Sequence, residues 1–225
     1  MIDAGLGLGY EDILANITNA GFQLERLRYI VMTHSHIGHW GGADAIRRRT
    51  GAKVWAPENG VRGMTALKDD ISIQTNLRFG RYPAGFVPQP CEPDRTFTGA
   101  DRINIGDCEL RVISTAGHTK DSTCFLFEDN GSRGLLTGDV VFYSGKIGLL
   151  NLEGCSLSDY RRDIRKLESL NIDMLLPGHG VFVLRRGQKH IQRAIHKLND
   201  FVVPPSFFED NEFMWDRKYL RTMAG

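Results

Sequence analysis

The sequence predicts an α/β domain of layered sheets and helices, and three observations support this prediction. Apolar runs of strand length alternate with amphipathic helical segments along the first part of the chain, an order typical of α/β layers. The chain has 225 residues, enough for one domain with a sizeable core. Its composition of 41% hydrophobic and 24% charged residues is that of ordinary globular proteins. We therefore expect a single domain over residues 1–225, with an aromatic-rich tail at about 201–225.

The first half of the chain alternates predicted strands and helices. Residues 10–20 favour a helix because Ile13, Leu14 and Ile17 fall on one face, and Gly21 provides its end. The other expected elements are, in order, a strand end with a glycine-rich turn at 1–7, a strand at 27–32, a helix at about 41–49, a strand at 53–56, and helices at about 58–68 and 70–77. A proline-rich excursion at 82–90 is typical of lids over active sites and also of plain long loops.

The second half returns to strands and ends in two helices. Residues 156–159 fit a capping box, and the helix that they open places Tyr160 and Ile164 on one face. A final helix is expected over about 187–202, with Val202 among its inward residues. The expected strands of this half are 102–105, 109–114, 123–128, 134–136 and 173–176.

Four glycine-bearing turns follow the carboxyl ends of predicted strands. These turns are HSHIGH at 34–39, AGHT at 116–119, TGD at 137–139 and PGHG at 177–180. Strand ends are where ligands bind in α/β layers, and glycine lets the backbone turn sharply enough for imidazoles to converge. Imidazole and carboxylate groups suit zinc. The turns therefore predict a metal centre formed by His34, His36, His39, His118, Asp139 and His179.

The six candidate ligands divide into two sets. His34 and His36 can bind one metal from the same side, and His118 completes a three-histidine set with one open position. Zinc with an open position lowers the pKa of its water ligand to roughly 7. A second metal could be held by the other three side chains, which are His39, His179 and a bridging Asp139. By contrast, His190 and His196 are expected off the apolar face of the last helix.

The order and spacing of these turns resemble the metallo-β-lactamase superfamily over about residues 1–200. The resemblance implies an αββα sandwich, in which two mixed sheets are flanked by helices, and a zinc-dependent hydrolase with one or two zinc ions per chain. It implies the same two ligand sets, with catalytic roles for Asp139 and His39. It also implies that Asp3 supports the histidine loop from behind, as carboxylates do for ligating imidazoles. A plain turn-forming role is the alternative for Asp3.

The chain departs from the family pattern at two places. Gly38 occupies the position of an aspartate that ligates the second metal, so we expect a weakened second site and impaired turnover. Asp121 is the nearest other carboxylate in sequence, and we do not expect it to take over that role. The family's D-x-G strand normally follows several further strands, whereas Asp3 follows Met1 by two residues. A truncated sandwich that lacks some N-terminal strands is therefore expected.

The resemblance leaves several functions open. The leading expectation is attack of metal-activated hydroxide on a small ester, lactone or thioester, with a lactonase-like enzyme first. The alternatives are a glyoxalase-II-like thioesterase, a β-lactamase and a non-catalytic metal-binding relative. Phe142 and Tyr143, just after Asp139, could line the pocket or pack in the core. The aromatic tail could close over the site, pack on the sheet or form a contact in a homo-oligomer.

Charge and composition narrow the range of partners. A formal net charge of +1 argues against nucleic-acid binding, and no apolar run approaches the roughly 20 residues of a membrane span. Acidic residues interrupt the first 30 positions, so no signal peptide is evident there. We expect a small-molecule substrate and a cytoplasmic location. The four cysteines form no C-x-x-C pair, which argues for free thiols rather than a cysteine zinc site.

Overall fold

A computed structural model describes residues 1–68, 70–83 and 85–209, and its helices and strands follow the predicted alternation. The helices α1 to α7 are Tyr10–Asn19, Ile37–Trp40, Ala43–Thr50, Val61–Thr65, Ile71–Arg78, Leu157–Asp163 and Gln188–Leu198. The strands β1 to β8 are Tyr29–Val31, Lys53–Pro57, Arg95–Phe97, Arg102–Ile105, Cys108–Ser114, Thr123–Asp129, Ser132–Gly138 and Met174–Pro177. Short 3-10 helices lie at Leu24–Arg26, Glu58–Gly60, Tyr143–Gly145 and Ile164–Leu167.

The strands form two sheets. The first has the order β1-β2-β3 with parallel pairing, and Ile2 adds a parallel bridge to Val31. The second has the order β4-β5-β6-β7-β8 and is mixed, because β4 to β7 pair antiparallel whereas β7 and β8 pair parallel. The carboxyl ends of β1, β7 and β8 carry three of the four glycine-bearing turns, and the turn at 116–119 follows β5.

Clusters of buried side chains show how the layers stack. Ile30 of β1 lies in one cluster with Ile46 of α3, on the helical side of the first sheet. Its neighbour Val31 points to the opposite face, as successive strand residues do, and lies in a cluster with Phe125 of the second sheet. The far side of the second sheet packs on α6 and α7 through a cluster that includes Tyr160. The predicted arrangement of two sheets between outer helices is confirmed.

Several local predictions are confirmed because their signals lie within a few residues. Helix α1 ends one residue before Ala20, and the following Gly21 has a φ of 86°. Gly51 ends α3 with a φ of 76°, a left-handed conformation that glycine adopts without steric penalty. Ser156 Oγ accepts a hydrogen bond from the Asp159 N–H at 3.1 Å, as the capping box predicts.

Two local predictions are wrong and one strand has no sequence signal, in each case for reasons of tertiary packing. Strand Arg95–Phe97 was not predicted, since three residues give no periodic signal and it forms by pairing with β2. The last helix ends at Leu198, so Val202 is exposed rather than inward. The expectation that His190 lies off the apolar face is wrong. It is buried and accepts a hydrogen bond from the Ser144 N–H at 2.9 Å, because the Tyr143–Gly145 turn packs against α7.

The described residues end within the expected aromatic tail. The aromatic tail expected at about 201–225 is described only as far as Glu209, so Phe213 and Trp215 lie outside the described residues. Within the described part of the chain, no helix combines the length and the apolar character needed to cross a bilayer.

Helix α6 fixes the backbone just before His118. Asp163 Oδ2 accepts a hydrogen bond from the Ala116 N–H at 3.0 Å, while Arg162 Nε lies 2.7 Å from Oδ1 and Lys166 Nζ lies 3.1 Å from Oδ2. Burial alone would raise the pKa of the Asp163 carboxyl, but these three donors outweigh it and lower the pKa below its ordinary value.

We expect Asp163→Asn to destabilise the fold by about 1–3 kcal/mol at pH 7, because a buried charged acceptor of three hydrogen-bond donors is lost. A depressed pKa contributes stability above the unfolded pKa of about 4, and this contribution disappears as the pH falls through the folded pKa. The difference between the two proteins in urea unfolding should therefore shrink below about pH 4. Asp159→Asn, at the exposed Arg162 pair, should change stability by less than about 1 kcal/mol. A pH-independent difference at Asp163 would contradict this account.

Candidate metal centre

The four glycine-bearing turns meet at one place, although they are far apart in sequence. The imidazole rings of His34 and His39 have their centroids 4.1 Å apart, and those of His34 and His118 lie 4.8 Å apart. The ring of His179 lies 5.1 Å from that of His39. The structure thus brings the predicted residues together, because each turn follows a strand and the strand ends converge.

The first ligand set is compact and its inward nitrogen atoms lack other partners. The side-chain ligand atoms of His34, His36 and His118 all lie within 4.8 Å of one another, and His36 Nδ1 lies 2.8 Å from His118 Nε2. His118 Nδ1 lies 2.5 Å from the Gly148 carbonyl, so Nδ1 carries the proton that it donates there and Nε2 presents its lone pair to the site. His34 Nε2 is buried with no hydrogen-bond partner among the described residues. Three converging imidazole nitrogen atoms, one of them buried without a partner, suit a cation.

The second ligand set is arranged around one carboxylate oxygen. Asp139 Oδ2 lies 3.3 Å from His39 Nε2, 3.6 Å from His118 Nε2 and 3.5 Å from His179 Nε2. The ligand atoms of His34, His39 and Asp139 also lie within 4.8 Å of one another. Asp139 Oδ1 is buried and unpartnered among the described residues. The position of this carboxylate between imidazoles of both sets suits a bridging ligand.

The protonation of the two sets differs. Burial is the largest cause that lowers the pKa values of His34, His36 and His118, so these imidazoles are neutral, as metal ligation requires. For His39, burial would lower the pKa, but the Asp139 and Asp3 carboxylates outweigh it and raise the pKa to about 10. For Asp139, burial would raise the pKa, but the neighbouring imidazoles hold it well below its usual range. The first set is thus neutral, whereas His39 of the second set is paired with the Asp139 carboxylate and must lose its proton before it binds a metal.

Asp3 and Thr33 hold the histidine loop from behind. Asp3 Oδ1 accepts from the Thr33 N–H, and Asp3 Oδ2 accepts from the Thr33 hydroxyl, each at 2.8 Å. The same hydroxyl lies 2.9 Å from His34 Nδ1, which therefore donates to it and leaves Nε2 free for a ligand. Asp3 Oδ2 also lies 2.8 Å from His39 Nδ1. These contacts favour the supporting role of Asp3 over a plain turn, and they add Thr33, which the sequence motifs did not single out.

Tyr160 links two loops. One contains Gly148, whose carbonyl accepts a hydrogen bond from His118, and the other contains Asp139. The Tyr160 hydroxyl accepts a hydrogen bond from the Gly148 N–H at 3.1 Å and donates to the Asp139 carbonyl at 3.2 Å. The sequence identified Tyr160 only as an inward residue of a helix, since periodicity reports the face of a residue and not its hydrogen bonds.

The space beside the Gly38 backbone holds no side chain among the described residues, and Asp121 does not reach into it. Gly38 is exposed on α2, and a Cβ at this position would meet no heavy atom within 4 Å. Asp121 is buried behind the loop, beside Gly60, and its Oδ1 accepts from the Ser35 hydroxyl at 3.0 Å. Asp121 therefore anchors the residue between His34 and His36 and does not occupy the place of the missing carboxylate.

Gly178 is a glycine that the centre requires for steric reasons. A Cβ at this position would lie 2.7 Å from Asp139 Oδ1 and 2.8 Å from His39 Cε1. We expect Gly178→Ala to displace these groups and to weaken zinc binding by at least about tenfold, measured by competition with a chelating dye. Gly38→Ala is the matched control, because its methyl group enters open space. Equal zinc affinities of the two variants would contradict the steric role of Gly178.

An aromatic wall, formed by Phe142, Phe207 and Phe208, stands beside the histidines. The rings of Phe142 and Phe207 stack at a centroid distance of 3.9 Å and an interplanar angle of 12°. Phe208 lies 5.9 Å from the ring of His118, and Phe207 lies 6.4 Å from that of His179. The described start of the aromatic tail therefore borders the metal centre.

The two aromatic residues suggested for the pocket have different surroundings. Phe142 is 1% exposed, and its ring contacts those of Phe207 and Phe208, the two members of the wall that lie beside the histidines. Tyr143 is 49% exposed and its ring contacts His190 of α7 at 4.9 Å. The wall is held in place by the Phe207 N–H, which donates to the Ile147 carbonyl at 2.8 Å. Phe207 and Phe208 were missed as individual site residues because nothing local ties them to a loop some 60 positions earlier.

Known proteins resemble this chain in sequence over most of its length. A family model described as the metallo-beta-lactamase superfamily matches residues 1–179. The atrochrysone carboxyl ACP thioesterase of Aspergillus fumigatus is 26% identical over 198 residues, which cover 88% of this chain and 51% of that protein. The human acyl-coenzyme A thioesterase MBLAC2 is 28% identical, with coverage of 90% and 79%. A hydroxyacylglutathione hydrolase of Rhodospirillum rubrum is 26% identical, with coverage of 70% and 49%. The chain thus spans about half the length of two of these relatives.

Solved structures resemble it in fold. The native FEZ-1 metallo-beta-lactamase from Legionella gormanii has a TM-score of 0.67 at 20% identity, covering 88% of this chain and 82% of that one. BJP-1, a subclass B3 metallo-beta-lactamase of Bradyrhizobium japonicum, has a TM-score of 0.63 at 22% identity, with coverage of 99% and 84%. This likeness confirms the predicted αββα sandwich, and at such identity it concerns the fold alone.

Proposed function

Because the chain belongs to the metallo-β-lactamase superfamily, we propose that it is a zinc-dependent hydrolase of acyl thioesters. The observation that carries this proposal is the buried convergence of His34, His36 and His118 beside Asp139. Relatives named as acyl-coenzyme A and acyl-carrier thioesterases support the thioester as the substrate class. The expected lactone substrate stays a prediction, as do the cytoplasmic location and a homo-oligomer.

The donor set fits zinc. His34, His36 and His118 would hold one ion, and a second would be held by His39, His179 and the shared Asp139. When bound, zinc lowers the pKa of a water ligand to roughly 7 and polarises the carbonyl oxygen of a substrate. In the reaction, the oxygen of water bonds to the acyl carbon, the C–S bond breaks and the leaving sulfur takes up one proton, so the products are a carboxylate, a thiol and one proton released to solvent.

The residues of the chain orient the water and the metal ligands. Among the described residues Asp139 Oδ1 has no hydrogen-bond partner, so it can accept a hydrogen bond from the attacking water and orient it. The Asp3 carboxylate and the Thr33 hydroxyl hold His39 and His34 with their Nε2 atoms turned inward. The aromatic wall lies beside His118 and offers an apolar surface to the substrate.

One observation favours a second candidate function, a non-catalytic metal-binding relative. Gly38 lacks a ligand atom at the second site, and no heavy atom of the described residues lies within 4 Å of a Cβ placed there. In that case the three-histidine set would bind zinc without productive turnover. The two candidates differ in whether the zinc-loaded chain releases a thiol.

The test is an assay of the zinc-loaded chain with an acyl-coenzyme A, a lactone and a penicillin. We expect thioester hydrolysis with a kcat/KM at least about tenfold above those of the other two substrates, lost on chelation and restored by zinc. Faster lactone or penicillin hydrolysis would overturn the choice of thioester. Absence of turnover on all three substrates in a zinc-loaded chain would favour the non-catalytic candidate.

A further inference from the structure

Helix α7 carries a row of basic side chains along one edge, formed by Lys189, Arg193 and Lys197 and called here the basic stripe. These residues are spaced by four positions, so they lie on one face of the helix in a row about 12 Å long. Lys189 and Arg193 are exposed, and Lys197 is half-buried. Other residues of α7, among them Ile191 and Leu198, form its buried face. The basic stripe is therefore not part of the core.

No carboxylate among the described residues forms an ion pair with the basic stripe. The sequence has five Lys and Arg residues and no Asp or Glu between Asp173 and Asp200, although the whole chain has a net charge of only +1. Arg48 of α3, by contrast, lies 2.7 Å from Asp44, four positions before it. Like charges at this spacing oppose helix formation, so the stability of α7 does not explain the stripe.

The basic stripe lies against the tip of a hairpin. An antiparallel bridge between positions 141 and 147 makes this segment a narrow hairpin. At its tip, the Ser144 carbonyl accepts a hydrogen bond from Lys197 Nζ at 3.0 Å. A Cβ at Gly145 would lie 2.6 Å from Arg193 Cβ, so the stripe and the tip are in close contact.

The base of the same hairpin lies at the metal centre. Asp139 precedes the hairpin, and Gly148 follows it with a carbonyl that accepts a hydrogen bond from His118 Nδ1 at 2.5 Å. Ser144 and Gly148 are four positions apart, so even a fully extended chain separates them by at most about 14 Å. The hairpin therefore joins the metal centre to the basic stripe over a short distance.

The positive charge of the stripe acts on the hairpin tip. His190 Nδ1 accepts a hydrogen bond from the Ser144 N–H at 2.9 Å. Burial is the largest cause that lowers the pKa of His190, and the charges of Arg193 and Lys189 lower it further. An uncompensated positive potential thus lies at this edge of the molecule, and such a potential attracts anionic ligands.

The carrier part of an acyl-coenzyme A has the matching chemistry. Coenzyme A joins its thiol, through an uncharged pantetheine arm, to a diphosphate and a nucleotide 3′-phosphate. About twelve bonds of about 1.5 Å separate the sulfur from the diphosphate, which gives an extended arm of about 15 Å. This length is close to that of the hairpin, and Arg and Lys side chains are the usual partners of phosphate groups.

We propose that the basic stripe binds the phosphate groups of coenzyme A while the thioester carbonyl lies at the metal centre. The inference rests on the proposed function and names the carrier of the acyl group. The pantetheine arm runs along the hairpin from its base to its tip at Ser144. A thioester without phosphate groups would make no contact with the stripe.

A double variant removes the two exposed charges of the stripe. Lys189→Gln combined with Arg193→Gln leaves the core untouched, and glutamine favours a helix about as well as lysine and arginine do. The matched control is Arg28→Gln combined with Arg49→Gln, which removes the same charge from two exposed arginines. Arg28 directly precedes β1, so the control lies away from the strand ends that carry the metal centre.

The binding probe is adenosine 3′,5′-bisphosphate, titrated calorimetrically into the full chain with and without zinc. We expect the native chain and the control to bind it equally, and the stripe variant to bind it about five- to twentyfold more weakly. Raised salt should weaken binding by the native chain more than binding by the stripe variant.

The kinetic probes are butanoyl-coenzyme A and butanoyl-N-acetylcysteamine, which has the same thioester and no phosphate. The zinc-loaded native chain should have the higher kcat/KM for the coenzyme A ester. We expect this preference to fall about five- to twentyfold in the stripe variant and to persist in the control.

The outcomes separate this inference from the proposed function. Equal nucleotide affinity of the native chain and the stripe variant overturns the proposal, and so does nucleotide binding that requires zinc. A stripe variant that loses affinity only for an acidic acyl carrier protein overturns it in favour of a protein partner. Stripe-dependent nucleotide binding without thioester hydrolysis supports the stripe and defeats the proposed function. Thioester hydrolysis with an unchanged preference in the stripe variant supports the function and defeats the stripe.

Discussion

Replacing His118 by alanine is expected to remove the tightly bound zinc and to lower thioester hydrolysis roughly a thousandfold. His118 Nε2 lies 2.8 Å from His36 Nδ1, and the Gly148 carbonyl holds its Nδ1, so the ring presents Nε2 to the first set. Changes in outer contacts alone weaken metal binding 10- to 100-fold, and loss of a ligand should exceed that range. Lewis-acid assistance is worth several kcal/mol, which corresponds to roughly a thousandfold in rate.

The measurement is zinc content per chain after dialysis, together with kcat/KM. His196→Ala is the matched control, because His196 is exposed on α7. We expect the control to keep its zinc and its activity. If His118→Ala keeps the same zinc content as the native protein, His118 is not a ligand and the first ligand set has been assigned wrongly.

Replacing Gly38 by aspartate is expected to strengthen the second zinc site and raise turnover. A Cβ at this position meets no heavy atom within 4 Å, and the residue lies in helical conformation, so aspartate enters without steric conflict. An added anionic ligand should increase affinity for the second ion by at least about 10- to 100-fold. Calorimetric zinc titration and kcat with butanoyl-coenzyme A measure the two effects.

Gly38→Asn is the control, since it adds similar bulk without the anionic ligand. We expect it to leave the second site weak. If the native chain already holds two zinc ions tightly and aspartate does not improve turnover, position 38 has been misinterpreted.

The candidate ligands could be predicted because their signals are local. A strand, a glycine and a histidine lie within a few residues in each turn, and sheet topology brings strand ends together. His34 and His179 are 145 positions apart in sequence, yet each follows a strand of its sheet directly. The order of the turns then indicated the family, which the comparisons confirm.

The surrounding contacts could not be predicted because they join distant segments. The Thr33 hydroxyl bridges Asp3 and His34, and the Tyr160 hydroxyl bridges Gly148 and Asp139, but neither hydroxyl carries a sequence signal for its partners. Phe207 borders the centre only because its N–H pairs with a loop far earlier in the chain. Long-range packing of this kind is decided by the folded backbone and not by local pattern.

The central claim is that one zinc ion binds tightly to the three-histidine set and a second binds weakly because Gly38 supplies no ligand. Its most direct test is calorimetric titration of the metal-free chain with zinc, compared with His118→Ala and His179→Ala. We expect two separate phases, with the tight one lost in His118→Ala and the weak one lost in His179→Ala. A single phase of two equally tight ions, or a tight phase that survives in His118→Ala, would contradict the claim.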